Sequence, residues 1–396
     1  MKLSEKARMC TLSPMRKFTP YAMAAEKAGK KIYKLNIGQP DIETPPEFFD
    51  AVRNFSQKVL AYANSQGIES LQDAVVDYYR RIGVEYTKQD ILITTGGSEA
   101  LQILFLSILD PGSEVIVPEP FYANYNTFIK AAGGVVRPLS TIPEEDYNYA
   151  NAEKLEALIN ENTRAIAIIN PQNPTGNVLT EEELRRIADV AKKHDLYLIC
   201  DEVYREFVYD TDDVLCAGRL RDVDENVVII DSVSKRFSAC GARIGMLISR
   251  NKALMAQALK FCQGRLCAAT LDQVGAAALY KVGPEYFAKV RDEYRRRRDL
   301  CYAKLTAIPG VVCAKPMGAF YVMAKLPIDN AESFQQYLLT EFEDKGETVM
   351  VSPATGFYAT PGKGLNEVRI AYVLKEKDLG RALDLLAMAI DRYNHR

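Results

Sequence analysis

Histidine is scarce here: only two occur in 396 residues, His194 and His395. His194 stands in the KKHDLYLIC segment just ahead of an apolar stretch, and His395 is the penultimate residue. A histidine-based triad or a histidine-rich metal site is therefore hard to assemble. Acid–base work must come from another group, and a lysine carried on a cofactor is one solution. Long apolar runs are missing too: no stretch approaches the ~20 residues needed to span a bilayer. The N-terminal MKLSEKARMCTLSPMRK lacks the apolar core and cleavage site of a secretion signal. The eight cysteines, among them Cys200, Cys240, Cys262, Cys267 and Cys301, form no CxxC pair. Several sit in apolar runs, as reduced thiols of a cytoplasmic protein do. Charge of one sign is also lacking. The net charge is −2 and the pI about 6.0, so nothing calls for nucleic acid or an anionic membrane. The one basic run, Arg295 to Arg298, lies between Asp292, Glu293 and Asp299 and reads as the solvated face of a helix.

What is present is a chain rich enough in apolar residues, at 48%, to bury a large core, and too long for one average domain. From about residue 68 to 250, short apolar segments alternate with helical patterns. The expected strands are 91–94, 114–117, 135–138, 165–169, 196–200, 227–230 and 244–248, several of them apolar at nearly every position, as strands buried on both faces are. Helical patterns fall at 98–109, 122–132, 180–193 and 252–263. Thr180 with Glu183 forms a capping box, and Asp110-Pro111-Gly112 is a stop signal. This alternation predicts an α/β fold: a mostly parallel seven-stranded sheet covered by helices. A long helix from about 284 to 308 follows, then strands near 319–324 and 368–373, a helix from Ala331 and a final helix, the pattern of a smaller α+β domain. The expected division is an N-terminal arm contributing to the small domain (1–47), a large domain (48–283) and a C-terminal small domain (284–396). Periodicity does not place the N-terminal segment.

Ligands of such sheets bind beyond the carboxyl ends of the strands. Five successive strand ends carry polar or glycine-rich clusters: Thr95-Gly96-Gly97-Ser98-Glu99, Pro118-Glu119-Pro120-Phe121-Tyr122, Asn170 to Gly176 (NPQNPTG), Asp201-Glu202-Val203-Tyr204 and Asp231-Ser232-Val233-Ser234-Lys235. The amides of Gly97 and Ser98 open a helix and suit a phosphate, although a tight βα turn needs the same residues. This turn lacks the GKS or GKT of a Walker loop and is no GxGxxG fingerprint. As a nucleophile elbow it lacks the last glycine. Lys235 is more telling. A lysine just past a buried strand is unusual. Two serines precede it, and Arg243 follows eight residues on, flanked by glycines. Glycines let backbone approach a ligand, an arginine fork suits a phosphate, and a lysine amine beside a phosphate site is what a Schiff-base cofactor requires.

SVSKRFSACGARIG resembles the lysine segment of the class I aminotransferases, in the aspartate aminotransferase superfamily of fold-type-I pyridoxal-phosphate (PLP) enzymes. The other clusters follow that family's order: YANSQG with Tyr62, TTGGSEAL, PEPFYANY, NPQNPTG, DEVY and NEVRIAY with Arg369. The likeness runs from IGQPDIETP near the N-terminus to Arg369. It implies that Lys235 holds pyridoxal 5'-phosphate and moves protons, and that Asp201 pairs with the ring nitrogen. Tyr204 and Asn173 would bond the ring oxygen, and Tyr122 would stack on the ring face. Gly97, Ser98, Ser232, Ser234 and Arg243 would form the phosphate cup. Tyr62 would reach the phosphate of a second subunit, which implies a homodimer with shared active sites. Arg369, with Asn173, would hold the substrate α-carboxylate, and the backbone of Gly38 would lie over the substrate.

The resemblance implies ping-pong transfer of an amino group from an L-amino acid to a 2-oxo acid, with aspartate and 2-oxoglutarate the leading pair and no metal. Some bacterial members carry a lysine directly after the Gly-Gly of the phosphate turn; Ser98 stands there instead. Other members use an arginine from the neighbouring subunit, so Arg265 is expected to receive a side-chain carboxylate, while a helix-terminal surface arginine would look the same. A PLP-dependent carbon–sulfur β-lyase, or an aminotransferase for neutral or aromatic amino acids, could share every motif. A PLP-binding DNA regulator would need a helix-turn-helix module ahead of the sheet, and a nucleotide-binding protein would leave Lys235, Asp201 and Arg243 idle.

Overall fold

The computed structural model describes residues 1–211 and 215–396. The strands in chain order are β1 (Lys31–Lys34), β2 (Ile91–Thr94), β3 (Glu114–Glu119), β4 (Val135–Ser140), β5 (Thr163–Ile169), β6 (Tyr197–Asp201), β7 (Val227–Ser232), β8 (Gly245–Ile248), β9 (Tyr321–Lys325), β10 (Glu347–Met350), β11 (Ser352–Pro353) and β12 (Glu367–Ala371). Seven of them form one sheet in the order β2-β8-β7-β6-β5-β3-β4. All neighbours in it are parallel except β8, which runs antiparallel to both β2 and β7. The expected α/β fold is therefore the one observed.

Side chains along the strands alternate between two cores. Leu92, Ile199 and Ile230 face one, while Ile91, Ile93, Leu198, Cys200 and Ile229 face the other. Each face is covered by helices, which is why the strands read as continuous apolar runs. The helix Glu181–Lys193 starts on Thr180, whose hydroxyl accepts from the Glu183 amide while the Glu183 carboxylate accepts from the Thr180 amide. The helix expected from residue 122 begins only at Asn124; Tyr122 stays in the preceding turn, and its hydroxyl accepts from Asn124 Nδ2 (2.7 Å).

A second group of elements is built from both ends of the chain. β1 pairs in parallel with β10, and β12 lies between β11 and β9 in an antiparallel three-stranded sheet. The 23-residue helix Pro284–Thr306 packs against the terminal helix Glu376–Asn394. The segment that periodicity left unplaced thus holds a short helix, Thr19–Lys27, and a strand whose partner lies more than 300 residues on. Among the described residues, no helix is long and apolar enough to cross a membrane.

Candidate active site

Strand direction gathers the site. β2, β3, β5, β6 and β7 all point the same way, so Gly96-Gly97, Tyr122, Asn173, Asp201 and Ser232 to Lys235 meet beyond one edge of the sheet. β8 runs the opposite way, so the residues just before it, with Arg243, enter at that same edge. A cavity of about 360 Å³ opens there. Gly38, Gly97, Ser98, Tyr122, Asn173, Asp201, Tyr204, Ser232, Ser234, Lys235, Arg243 and Arg369 all line it.

The turn at Gly96 has φ +76°, and any Cβ there would run into the guanidinium of Arg243. Gly245 is equally constrained, because a Cβ on it would strike the Gly96 backbone. Two glycines thus let the start of β8 press Arg243 against the N-terminal turn of helix Gly96–Ile108. Ser232 Oγ lies 2.8 Å from Ser234 Oγ and donates to the Ile244 carbonyl (3.0 Å). Free amides, two hydroxyls and a guanidinium in one cup make a site for a phosphate dianion.

Asp201 ends β6, buried. Its carboxylate accepts from Tyr125 Oη (3.2 Å) and the Val203 amide (3.3 Å), and no cation pairs with it among the described residues. Burial pushes this carboxyl up to about 7, against the lowering effect of those two hydrogen bonds. A cationic N–H placed opposite would relieve that cost. Lys235, on the short helix Val233–Arg236, donates from Nζ to the Gly38 carbonyl (2.9 Å) and lies 3.7 Å from Cys240 Sγ.

Arg369, in the middle of β12, is buried, yet no carboxylate pairs with it among the described residues. Its Nη1 donates to Asn173 Oδ1 (3.0 Å) and Nη2 to the Asn36 carbonyl (2.8 Å), while Nε is buried without a partner. The Tyr321 and Phe357 rings lie 4.5 and 4.9 Å from the guanidinium carbon. An arginine held this way, short of an acid, is a receptor for a carboxylate.

Behind the cavity a buried charge cluster fixes the backbone. Asp231 accepts from Arg236 Nη2 (2.8 and 2.9 Å) and Arg205 Nη2 (3.3 Å), and Arg205 Nε donates to Glu202 (2.8 Å). These residues neighbour Ser232, Lys235 and Tyr204 in the chain, so the cluster ties the two loops that carry them.

Two residues singled out in the sequence are not in this cavity. Tyr62 is 80% exposed, just after exposed Val59 and Leu60. Arg265 caps the helix Lys252–Gly264, pairs with Glu99 (3.2 Å) and donates to the Ile93 carbonyl (2.7 Å). Conversely, sequence reasoning missed Tyr321, whose hydroxyl sits 3.0 Å from Tyr204 Oη and fills the space a side chain on Gly38 would take. It also missed Asn36, Cys240 and the N-terminal residues Ser13, Met15, Arg16 and Thr19, which line the same cavity. Tyr125 lay inside a quoted motif without a role. Tyr321 had one available signal, its place in an aromatic pair following Gly318-Ala319.

The family model described as aminotransferase class I and II matches residues 30–386. The aspartate aminotransferase of Bacillus subtilis (strain 168) is 32% identical over 402 residues, covering 99% of this chain and 98% of its own. The structure of Thermus thermophilus aspartate aminotransferase with maleate is 30% identical, has a TM-score of 0.89, and covers 98% of this chain and 100% of its own. An alanine aminotransferase from Pyrococcus furiosus is 29% identical, with a TM-score of 0.90, covering 99% of this chain and 100% of its own.

Proposed function

The chain belongs to the class I and II aminotransferases, and from that premise we propose that it binds pyridoxal 5'-phosphate at Lys235 and transfers the amino group of an acidic L-amino acid, aspartate foremost, to 2-oxoglutarate. One observation carries the reading: among the described residues, a buried acid without a cation, Asp201, and a buried arginine without an acid, Arg369, share one cavity with a lysine.

The residues present fit the cofactor. The carboxyl pushed up by burial suits a protonated ring nitrogen, the glycine-floored cup beside Arg243 suits a phosphate, and Tyr122 offers a ring face. When bound, the cofactor supplies an electron sink for the charge left at Cα once the substrate proton departs. The chain's own residues do the rest. Arg369, held by Asn173 and the Asn36 carbonyl, orients the substrate through its α-carboxylate. Lys235 Nζ takes the Cα proton and returns it. The Gly38 carbonyl steers that amine, and the Tyr204–Tyr321 hydroxyl pair, with Asn173 Nδ2 3.4 Å from Tyr204 Oη, would hold the ring oxygen of the bound cofactor. The exposed Tyr62 segment supports a homodimer in which Tyr62 completes the phosphate cup of a second copy. The elements around β9 to β12, with the N-terminal arm, are read as the small domain, and the location as cytoplasmic.

Initial rates with aspartate and 2-oxoglutarate varied together test this directly. Ping-pong exchange gives parallel double-reciprocal lines; intersecting lines argue against it. Arg369→Gln removes the guanidinium fork. It should lower kcat/KM for every α-amino acid by roughly 10²–10³-fold, equivalent to about 3–4 kcal/mol, measured against both aspartate and alanine. A loss limited to aspartate would move the α-carboxylate elsewhere.

A further inference from the structure

Charge accounting in the cavity leaves one group over. Its lining carries Lys235, Arg243, Arg369 and Arg16 against a single acid, Asp201. If, as proposed above, Lys235 and Arg243 serve the cofactor and Arg369 the α-carboxylate, Arg16 is a cation without a counterpart. Among the described residues nothing pairs with its guanidinium. Lys17 beside it, by contrast, pairs with Glu332 (2.6 Å).

The backbone of Arg16, an exposed residue, is held where its side chain can serve. Its amide donates to the Ser13 carbonyl (3.1 Å), and its carbonyl accepts from the Thr19 amide (3.1 Å), so it sits in a closed turn. On one side Met15 Sδ lies 3.1 Å from Arg369 Nη2 and packs with Tyr147, Met323, Phe357 and Tyr358. On the other, Phe18 is buried with Ala22, Leu339 and Met350. The turn is thus pinned beside the α-carboxylate receptor. Arg16 lines both the cavity and the groove next to it, which puts it at the mouth. A substrate anchored by its α-carboxylate on Arg369 has its side chain free to reach that mouth.

We infer that Arg16 binds the side-chain carboxylate of an acidic amino donor, making the N-terminal arm the specificity element of the site. Ser13 and Thr19, also lining the cavity, stand on the same turn and can add hydroxyl contacts. Ser98 offers no charge, and Arg265 is committed to Glu99 and the Ile93 carbonyl within its own chain. The inference rests on the reading of Arg369 above and names the substrate class of that same site.

The test compares kcat/KM for aspartate and for alanine, each with 2-oxoglutarate, in the loaded wild type, Arg16→Gln, Arg16→Lys and Arg265→Ala, alongside calorimetric binding of maleate. A charge-assisted pair at this site predicts a roughly 10- to 100-fold fall for aspartate in Arg16→Gln, mainly through KM. Alanine should fall far less, maleate should bind correspondingly more weakly, and Arg16→Lys should recover part of the loss. Equal falls for both donors would reduce Arg16 to a structural part of the arm and overturn the inference. So would selectivity lost in Arg265→Ala but kept in Arg16→Gln, which would return the role to Arg265 acting across a dimer interface. A wild type that does not prefer aspartate to alanine overturns the donor reading itself, and the inference with it.

Discussion

Replacing Lys235 with alanine is expected to abolish multiple turnover. Loss of a positioned proton-transfer group costs roughly 10²–10⁴-fold, and loss of the covalent cofactor link adds to that. No neighbour can substitute. The amine's contacts are the Gly38 carbonyl, which only accepts, and Cys240 Sγ, which also donates to the Ser234 carbonyl at 3.1 Å. No histidine lines the cavity. Lys235→Arg separates charge from chemistry: it keeps the cation but cannot release a proton near neutral pH, so it should be as inactive as the alanine variant. Stopped-flow exchange of deuterium from Cα reads the proton step alone. Near-wild-type exchange in either variant would remove Lys235 from that step.

Asp201→Asn carries the second large effect, with a pH signature. In the cofactor-free protein burial raises this carboxyl to about 7, well above its unfolded value near 3.9. A raised folded value means the native state binds the extra proton. The group's stabilising contribution is therefore complete below about pH 4 and is lost as pH rises through about 7. Three units correspond to about 4 kcal/mol, enough to appear as a fall in the cofactor-free Tm between pH 5 and 8. Asparagine cannot ionise, so the variant should lack that part of the fall. With cofactor bound, a cationic ring nitrogen keeps Asp201 charged. Wild type should then gain more Tm from cofactor at pH 8 than at pH 5, and Asp201→Asn should show little such difference. Its turnover should drop roughly 10²–10³-fold, since a charge aimed at the reacting system is lost. Identical pH slopes in the two cofactor-free proteins would contradict the account.

How much of this could be read from sequence follows from which residues are held by local pattern. The parallel strands announce themselves because both their faces are buried, and the site residues at their ends stand out as polar clusters against apolar runs. Lys235 and Asp201 were legible for that reason; Arg369, in the middle of antiparallel β12, was legible only through the resemblance carried by NEVRIAY. Tyr321 was not: it sits at the start of β9 among Phe320, Val322 and Met323, so beyond its place in an aromatic pair it reads as core, and its contacts with Tyr204 and Gly38 reveal it. The N-terminal arm was opaque because its positions depend on partners distant in sequence. Met15 lies on Arg369, and β1 pairs with β10. Arg243 was found through its glycines, but its place in the cup depends on β8 running against its neighbours, which no local pattern reports.

The account turns on the amino group being kept by the protein and handed on. The measurement that tests this most directly is a single-turnover reaction of the loaded enzyme with excess aspartate and no oxo acid, following absorbance and products together. The account predicts loss of the lysine-bound cofactor band, one equivalent of oxaloacetate per site, and then a halt until 2-oxoglutarate is added. Continued release of ammonia and oxo acid without an acceptor would contradict it and make the chemistry elimination.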